Sequence, residues 1–276
     1  MKNKNVILLA AIFMTSLFSL ETFAQKSVFL QYNLNAGDQY RHELNIENTI
    51  EMEVQGQSMT LDQESSFELV YLVTKVDKDS IFLQVVIEAL KISQSVAGME
   101  ITYDSQDTTT YNSPVVGTKI SDEMNKLIGE KITAVMDRFG NVGTVDMGTL
   151  KDKNITENFK NSFSGIIYPG KKVKVGESWE NDVISGGVAE IKMHVVYTLA
   201  SIKGKQAYIK FQGDLEGVDK SDELKGTASG EIVVNRKTGW MIKKESSEDY
   251  NMMMEQGGMS FPATVSGEYE ITVKKL

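Results

Sequence analysis

"ELNIENTIEMEV", residues 43–54, decides the fold. Leu44, Ile46, Ile50, Met52 and Val54 share one parity, while Glu43, Asn45, Glu47, Glu51 and Glu53 share the other. Alternation with a period of two makes a strand with one buried face and one wet face. The same signature recurs in "FELVYLVTKV" (67–76), "IFLQVVIEALKI" (81–92), "EIKMHVVYTLASI" (190–202), "QAYIKFQGDL" (206–215), "SGEIVVNR" (229–236), "GWMIKKESSEDYNMMME" (239–255) and "TVSGEYEITVKKL" (264–276). Turn-forming residues separate these runs: Asp77-Lys78-Asp79, Gly140-Asn141, Lys203-Gly204-Lys205 and Thr238-Gly239. Several runs exceed the usual strand length of about 3–10 residues, which predicts long antiparallel hairpins in a strongly curved sheet.

Two stretches read as helices. "SDEMNKLIGEK" (121–131) offers Ser121 as an N-cap, acids Asp122 and Glu123 in the first turn, and Met124, Leu127 and Ile128 at helical spacing. "NITENFKNSFSGII" (154–167) spaces Ile155, Phe159, Phe163 and Ile166 on one face and then meets Pro169-Gly170. The expected class is therefore α+β, predominantly antiparallel β, with two short helices covering part of an apolar sheet face.

The chain also resembles itself. "AGDQYRHEL" (36–44) aligns with "VGESWENDV" (175–183), so that Gly37 and Tyr40 correspond to Gly176 and Trp179. "VYLVTKVDKDSIFLQV" (70–85) matches "VYTLASIKGKQAYIKF" (196–211) without a gap, and "AVMDRFGNV" (134–142) resembles "IVVNRKTGWM" (232–241). Three matches in the same order suggest a duplication, with β-rich halves at 25–165 and 166–276 and a linker near 165–174, "GIIYPGKKVK". In this frame Tyr40 and Trp179 are structural rings that lock the start of a strand against its neighbour.

"NMMMEQGGM" (251–259) carries four methionines. It overlays the first-half stretch "IEMEVQGQSMTL" (50–61): Tyr250, Met252 and Met254 fall on Ile50, Met52 and Val54, and Met259 falls on Met59. Two readings are open. Thioethers converging at a hairpin tip bind Cu(I), whereas methionines at period-2 spacing fill gaps on an apolar sheet face. The aliphatic residues in the other copy favour packing. Met52, Met59, Tyr250, Met252, Met254 and Met259 are thus the candidate surface for an apolar ligand or partner, and no residue is assigned to a metal.

The N-terminus reads as a secretory signal at 1–24: Lys2 and Lys4, an uncharged apolar run over 6–20, then Thr22-Phe23-Ala24 before the cleavage point. The run is too short for a comfortable span of about 20 residues, and no stop-transfer segment follows. The chain has no cysteine, which excludes disulfides, thiolate metal sites and lipidation at the cleavage site. Its net charge of −9 is a poor match for nucleic acid or anionic lipid head groups.

Catalytic patterns are not found. The histidines are His42, read as a solvent-facing residue between Arg41 and Glu43, and His194 in "KMHVVY", read as having no acid near it. There is no HExxH spacing, no GxSxG elbow and no glycine-rich phosphate loop. The acids Asp219, Asp222 and Glu223 read as a solvated turn without the calcium-loop pattern.

The succession of GD/E-x-Y/W, "VTKVDKDSIFLQV", "AVMDRFGNV" and "VGESWEND" resembles a family of exported proteins of Bacteroides-like Gram-negative bacteria that carry a domain of unknown function. The resemblance covers nearly the whole mature chain. It implies a place in the cell envelope, periplasmic or extracellular, and names no activity. The expected function is a non-enzymatic binding or carrier module for a lipid, another apolar ligand or an envelope protein, without a cofactor. A structural or interaction module without a ligand cavity is the alternative. A carboxylate-based hydrolase is a third reading, and needs two acids converging in a cleft.

Overall fold

The computed structural model describes residues 26–54, 56–96, 99–110, 118–148, 165–185, 191–218, 224–256 and 259–276. After the short β1 (Ser27–Phe29), the first half contributes β2 (Gln39–Val54), β3 (Gln57–Val76), β4 (Ser80–Val96), β5 (Met99–Asp104), β6 (Lys131–Asp137) and β7 (Val142–Asp146). The second contributes β8 (Lys172–Lys174), β9 (Ser178–Ser185), β10 (Ile191–Lys203), β11 (Gln206–Gly217), β12 (Lys225–Asn235), β13 (Met241–Gln256) and β14 (Met259–Lys275). One 12-stranded antiparallel sheet runs β7-β6-β4-β3-β2-β14-β13-β12-β11-β10-β9, with β5 paired to the far end of β4. β14 hydrogen-bonds to β2 from Lys275↔Tyr40 to Ala263↔Met52, so a single sheet crosses from one half of the chain to the other.

The α+β expectation is overturned: the molecule is almost entirely antiparallel β. The described residues include one eight-residue helix, α1 (Thr118–Asn125), and no helical layer. Ser121 lies inside α1 and is buried rather than capping it. Met124 and Ile128 pack with Leu90 and Tyr103 at one sheet edge. The second expected helix, 154–167, lies outside the described residues as far as 164, and Ile166 near its expected end is non-helical and buried. The hairpins bury apolar surface mainly against the rest of the sheet and two extended segments, so no helical layer is needed.

Laid flat, eleven strands in a row at about 4.8 Å spacing would span about 48 Å. Yet Ile81, Leu83 and Met136 near one edge share one core with Trp179, Val195 and Tyr197 near the other. The sheet is therefore curled. It closes at its base on two extended straps, 26–34 and 165–175, which pair through β1 and β8. Val28, Leu30, Tyr32 and Leu34 from one strap, and Ile166, Tyr168 and Val173 from the other, are all buried. The segment expected as a linker is thus core.

The straps thread between two turns. Tyr32 N–H donates to Arg138 O (2.7 Å) and Asn33 N–H to Thr238 O (2.8 Å), while Tyr168 N–H donates to Phe139 O (2.8 Å). Both turns carry a glycine at positive φ: a Cβ on Gly140 would lie 2.6 Å from Ile166 O, and one on Gly239 would lie 2.1 Å from Gln31 O. Only glycine permits both the left-handed conformation and this approach.

The two strand openings are built alike. Gly37 N–H donates to Val73 O and Gly176 N–H to Leu199 O, each at 2.8 Å. Asp38 Oδ2 accepts from Asn35 N–H, and Glu177 Oε2 from Lys174 N–H. Register shifts fall at Val73/Lys75 in the β3–β4 hairpin and at Leu199/Ser201 in the β10–β11 hairpin. Arg138 donates to Lys78 O in the first half, and Arg236 to Gly204 O in the second.

Candidate functional site

At the base, aromatic rings seal the curl. Trp240 stacks on Tyr40 with centroids 4.6 Å apart, and meets Tyr32, Tyr71 and His42 edge-on at 5.6–5.9 Å. The straps anchor several of the rings: Tyr32 hydroxyl donates to Ile166 O (3.0 Å), Tyr168 hydroxyl to Gly239 O (2.6 Å) and Trp179 Nε1–H to Ile167 O (2.9 Å), while the Tyr40 hydroxyl is buried without a hydrogen-bond partner. Trp179 also stacks on Tyr197 across the β9–β10 pair. Tyr40 and Trp179 are therefore base residues, far from the hairpin tips.

His42 is not solvent-facing. It sits on the parity of Leu44 and Ile46, 7% exposed, and its Nε2 accepts from Trp240 Nε1–H at 3.2 Å. Accepting at Nε2 requires the neutral ring, and burial pushes its pKa down to about 3. His194 does have acids beside it: Nδ1 lies 2.8 Å from Asp182 and Nε2 lies 3.8 Å from Glu180, on the exposed face. The hydrogen bond with Asp182 raises its pKa.

Above the base, cross-strand registry carries the inner parity in rows over β3, β2, β14 and β13. One row is Phe67–Leu44–Ile271–Lys244 and another, nearer the tips, is Leu61–Ile50–Val265–Tyr250. The next is Met59–Met52–Ala263–Met252, followed by Phe261–Met254. The structure thus brings Met52, Met59 and Met252 into one half-buried row, with Tyr250 one row below and Met254 one row above. Met259 starts β14 opposite Gln256, two residues from the position that pairs with Met254, and its side chain lies outside the described set. Met253 points outward, 37% exposed. Ala263 separates Met52 from Met252 by two strand spacings, about 10 Å between backbones. A depression of about 600 Å³ at the paired tips is lined mainly by outward-parity residues, among them Glu51, Glu53, Asn251, Met253 and Thr264, and it touches the inner parity only at Met52, Met252 and Ala263.

Between the apolar rows lies a polar belt that the sequence reading missed. Gln63, Asn48, Gly267 and Glu248 pair across β3, β2, β14 and β13, flanked by Ser65, Tyr269 and Ser246. Gln94 Nε2 donates to Gln63 Oε1 (2.8 Å), and Gln63 Nε2 donates to Ser65 Oγ (3.2 Å). Asn48 Oδ1 and Ser246 Oγ are buried without a hydrogen-bond partner. Burial holds the Lys244 amine below its ordinary range against the pull of Glu248. It likewise raises the Glu248 carboxyl, opposed by Lys244 and by the Tyr269 hydroxyl. The available signal was the break in alternation at Asn48 between Ile46 and Ile50.

Among the described residues no group of three or more His, Asp or Glu is placed to hold a metal ion. No described helix is long and apolar enough to cross a membrane. The acids at 219–223 lie outside the described residues.

A model for a family of unknown function (DUF6263) matches residues 147–241, which reach from the end of β7 to the start of β13. No curated protein matches the chain. Among solved structures, one described as "lipid-protein interactions in lipovitellin" is similar over 88% of this chain at 11% identity, with a TM-score of 0.55. That is a likeness of fold, and the chain spans 25% of the lipovitellin chain. The translocator domain of the autotransporter NalP from Neisseria meningitidis aligns over 97% of both chains at 8% identity and a TM-score of 0.25. An outer membrane channel from Pseudomonas putida F1 aligns over 88% of this chain and 97% of its own at 6% identity and 0.26. Scores that low do not relate the folds.

Proposed function

We propose that this protein is an exported, non-enzymatic module of the cell envelope, and that it holds an apolar ligand, a lipid above all, against the inner face of its curled sheet. The observation that carries this is the set of half-buried apolar rows on β3, β2, β14 and β13 beyond the sealed base. Apolar surface of that extent marks a place where something greasy sits. Half-exposed methionines suit an adaptable surface. The lipovitellin structure, which by its description concerns lipid–protein interactions, lends weak support through fold alone. Export rests on the signal-like residues 1–24. The paired turn and bulge geometry of the two openings supports descent of the halves from a duplicated unit.

Natively purified protein is expected to yield lipid on organic extraction, read by mass spectrometry, and to bind an uncharged fluorescent naphthylamine saturably. An empty extract together with no saturable probe binding overturns the reading. Recovery of mature protein beginning at Gln25 from a periplasmic or culture fraction checks export.

A further inference from the structure

Methionines gather where the sheet divides. Met52 and Met59 face each other near the tip of the β2–β3 hairpin, and Met252, Met253 and Met254 lie near the tip of the β13–β14 hairpin. Met136 and Met147, by contrast, are sealed in the cores, 4% and 3% exposed. The ladder between β14 and β2 ends at Ala263↔Met52, although β2–β3 runs on to Val54↔Gln57 and β13–β14 to Gln256↔Met259. The next residue of β14 toward the tip is Pro262, which has no N–H to donate to β2. Among the described residues the two hairpins share no ladder pair past that point. The depression at the tips takes Glu53 and Ser58 from one hairpin, and Met253 and Pro262 from the other. The tips thus form a fork, each prong held by its own cross-strand pairs.

We propose that this fork is an oxidant-responsive modification site: sulfoxidation of Met52, Met59, Met252 and Met254 by a peroxide loosens both tips and leaves the base folded. The thioether sulfur gives two electrons to the peroxide O–O bond; one oxygen becomes the sulfoxide S=O and the other leaves as water. The chain has no cysteine, so thioethers are the only side-chain sulfur such an oxidant meets. Susceptibility follows exposure, and these four residues are half-buried where Met136 and Met147 are closed off. Their position on the inner parity gives the oxygen its effect. Met52 faces Met59, Met252 faces Ala263 and Met254 faces Phe261. A sulfoxide sets a strong acceptor into each of these apolar pairs, which are the unit of sheet stability. Met253 and Met99 are 37% and 62% exposed, so a sulfoxide there stays in water and disturbs no pair. A methionine sulfoxide reductase, taking two electrons from a dithiol, restores the thioether and releases water. The device works whether or not the curl carries a lipid.

The test treats purified protein with graded hydrogen peroxide. Peptide mapping by mass spectrometry reads the sulfoxides, hydrogen exchange reads the tips, and the fluorescence of Trp179 and Trp240 reads the base. Met52, Met59, Met252 and Met254 are expected to oxidise about ten-fold or more faster than Met136 and Met147. Exchange at the β2–β3 and β13–β14 tips should then quicken about ten-fold with the fluorescence unchanged, and reductase with dithiothreitol should reverse it. Replacing all four by leucine, a volume-conserving change, should abolish the quickening, whereas Met99→Leu with Met253→Leu should leave it intact. Thermal melts report the folding of each variant; if the fourfold variant does not fold, the wild-type rates and exchange still decide. Equal oxidation of tips and cores, or exchange unchanged by oxidation or not restored by the reductase, overturns the proposal. So does loosening that persists in a folded fourfold variant, or fluorescence that shifts at the same dose.

Discussion

His42 shows what one residue does to the pH response of the whole molecule. In the fold its pKa is depressed to about 3, whereas an unfolded histidine titrates near 6.5. The unfolded chain therefore takes up a proton at a pH where the folded chain cannot. The neutral ring's contribution is complete above about 6.5 and falls as pH drops toward 3, by up to about 1.4 kcal/mol per pH unit. His42→Gln keeps an acceptor for the Trp240 N–H but does not titrate. Urea unfolding at pH 7, 5.5 and 4.5 should show the variant losing less stability than wild type over that range; parallel slopes would contradict the assignment. Asn48 makes a second point at this scale. An unpartnered buried acceptor costs about 1–3 kcal/mol, so Asn48→Leu should unfold at higher urea than the parent in ligand-free buffer.

Among the elements, the two turns that clasp the straps are the least replaceable. Gly204 and Gly239 both have positive φ, but nothing lies near a Cβ on Gly204, whereas Gly239 abuts Gln31. Gly204→Ala should thus cost only the conformational term, about 1 kcal/mol. Gly239→Ala must also push a strap out of the core and should cost at least about 2 kcal/mol more, or prevent folding. Equal melting temperatures for the two variants would show that the strap yields freely. The hairpins themselves were legible in the sequence because alternation reports burial directly. The base was not. "GIIYPGKKVK" looks like a linker, and only the fold reveals that Ile166, Tyr168 and Val173 lie between the two halves of the sheet. Helical spacing at 121–131 overreached: α1 is short and sits at an edge, because sheet and straps already cover most apolar faces. His42 was misread because Arg41 and Glu43 flank it, although its parity matches Leu44 and Ile46. The polar belt is made by registry between four strands, which one strand's sequence cannot state.

For the whole molecule the decisive property is that the sheet has two unlike faces, sealed by rings at one end and lined by apolar rows toward the other. Neighbours of opposite parity isolate that property. Met252 turns inward beside Ala263, while Met253 turns outward opposite Pro262. A lysine at either site changes the net charge by the same amount and sits on the same strand. Met252→Lys places an ammonium among apolar walls, where a desolvated charge is costly, and should weaken an uncharged naphthylamine probe about ten-fold or more. Met253→Lys should leave it unchanged. Ligand added at about 100 times its Kd should stabilise wild type and Met253→Lys by about 2.7 kcal/mol, visible as a raised Tm, and Met252→Lys by much less. If the two substitutions act alike, or Met253→Lys does the greater harm, the ligand lies on the outer face and the curl of the sheet has no part in holding it.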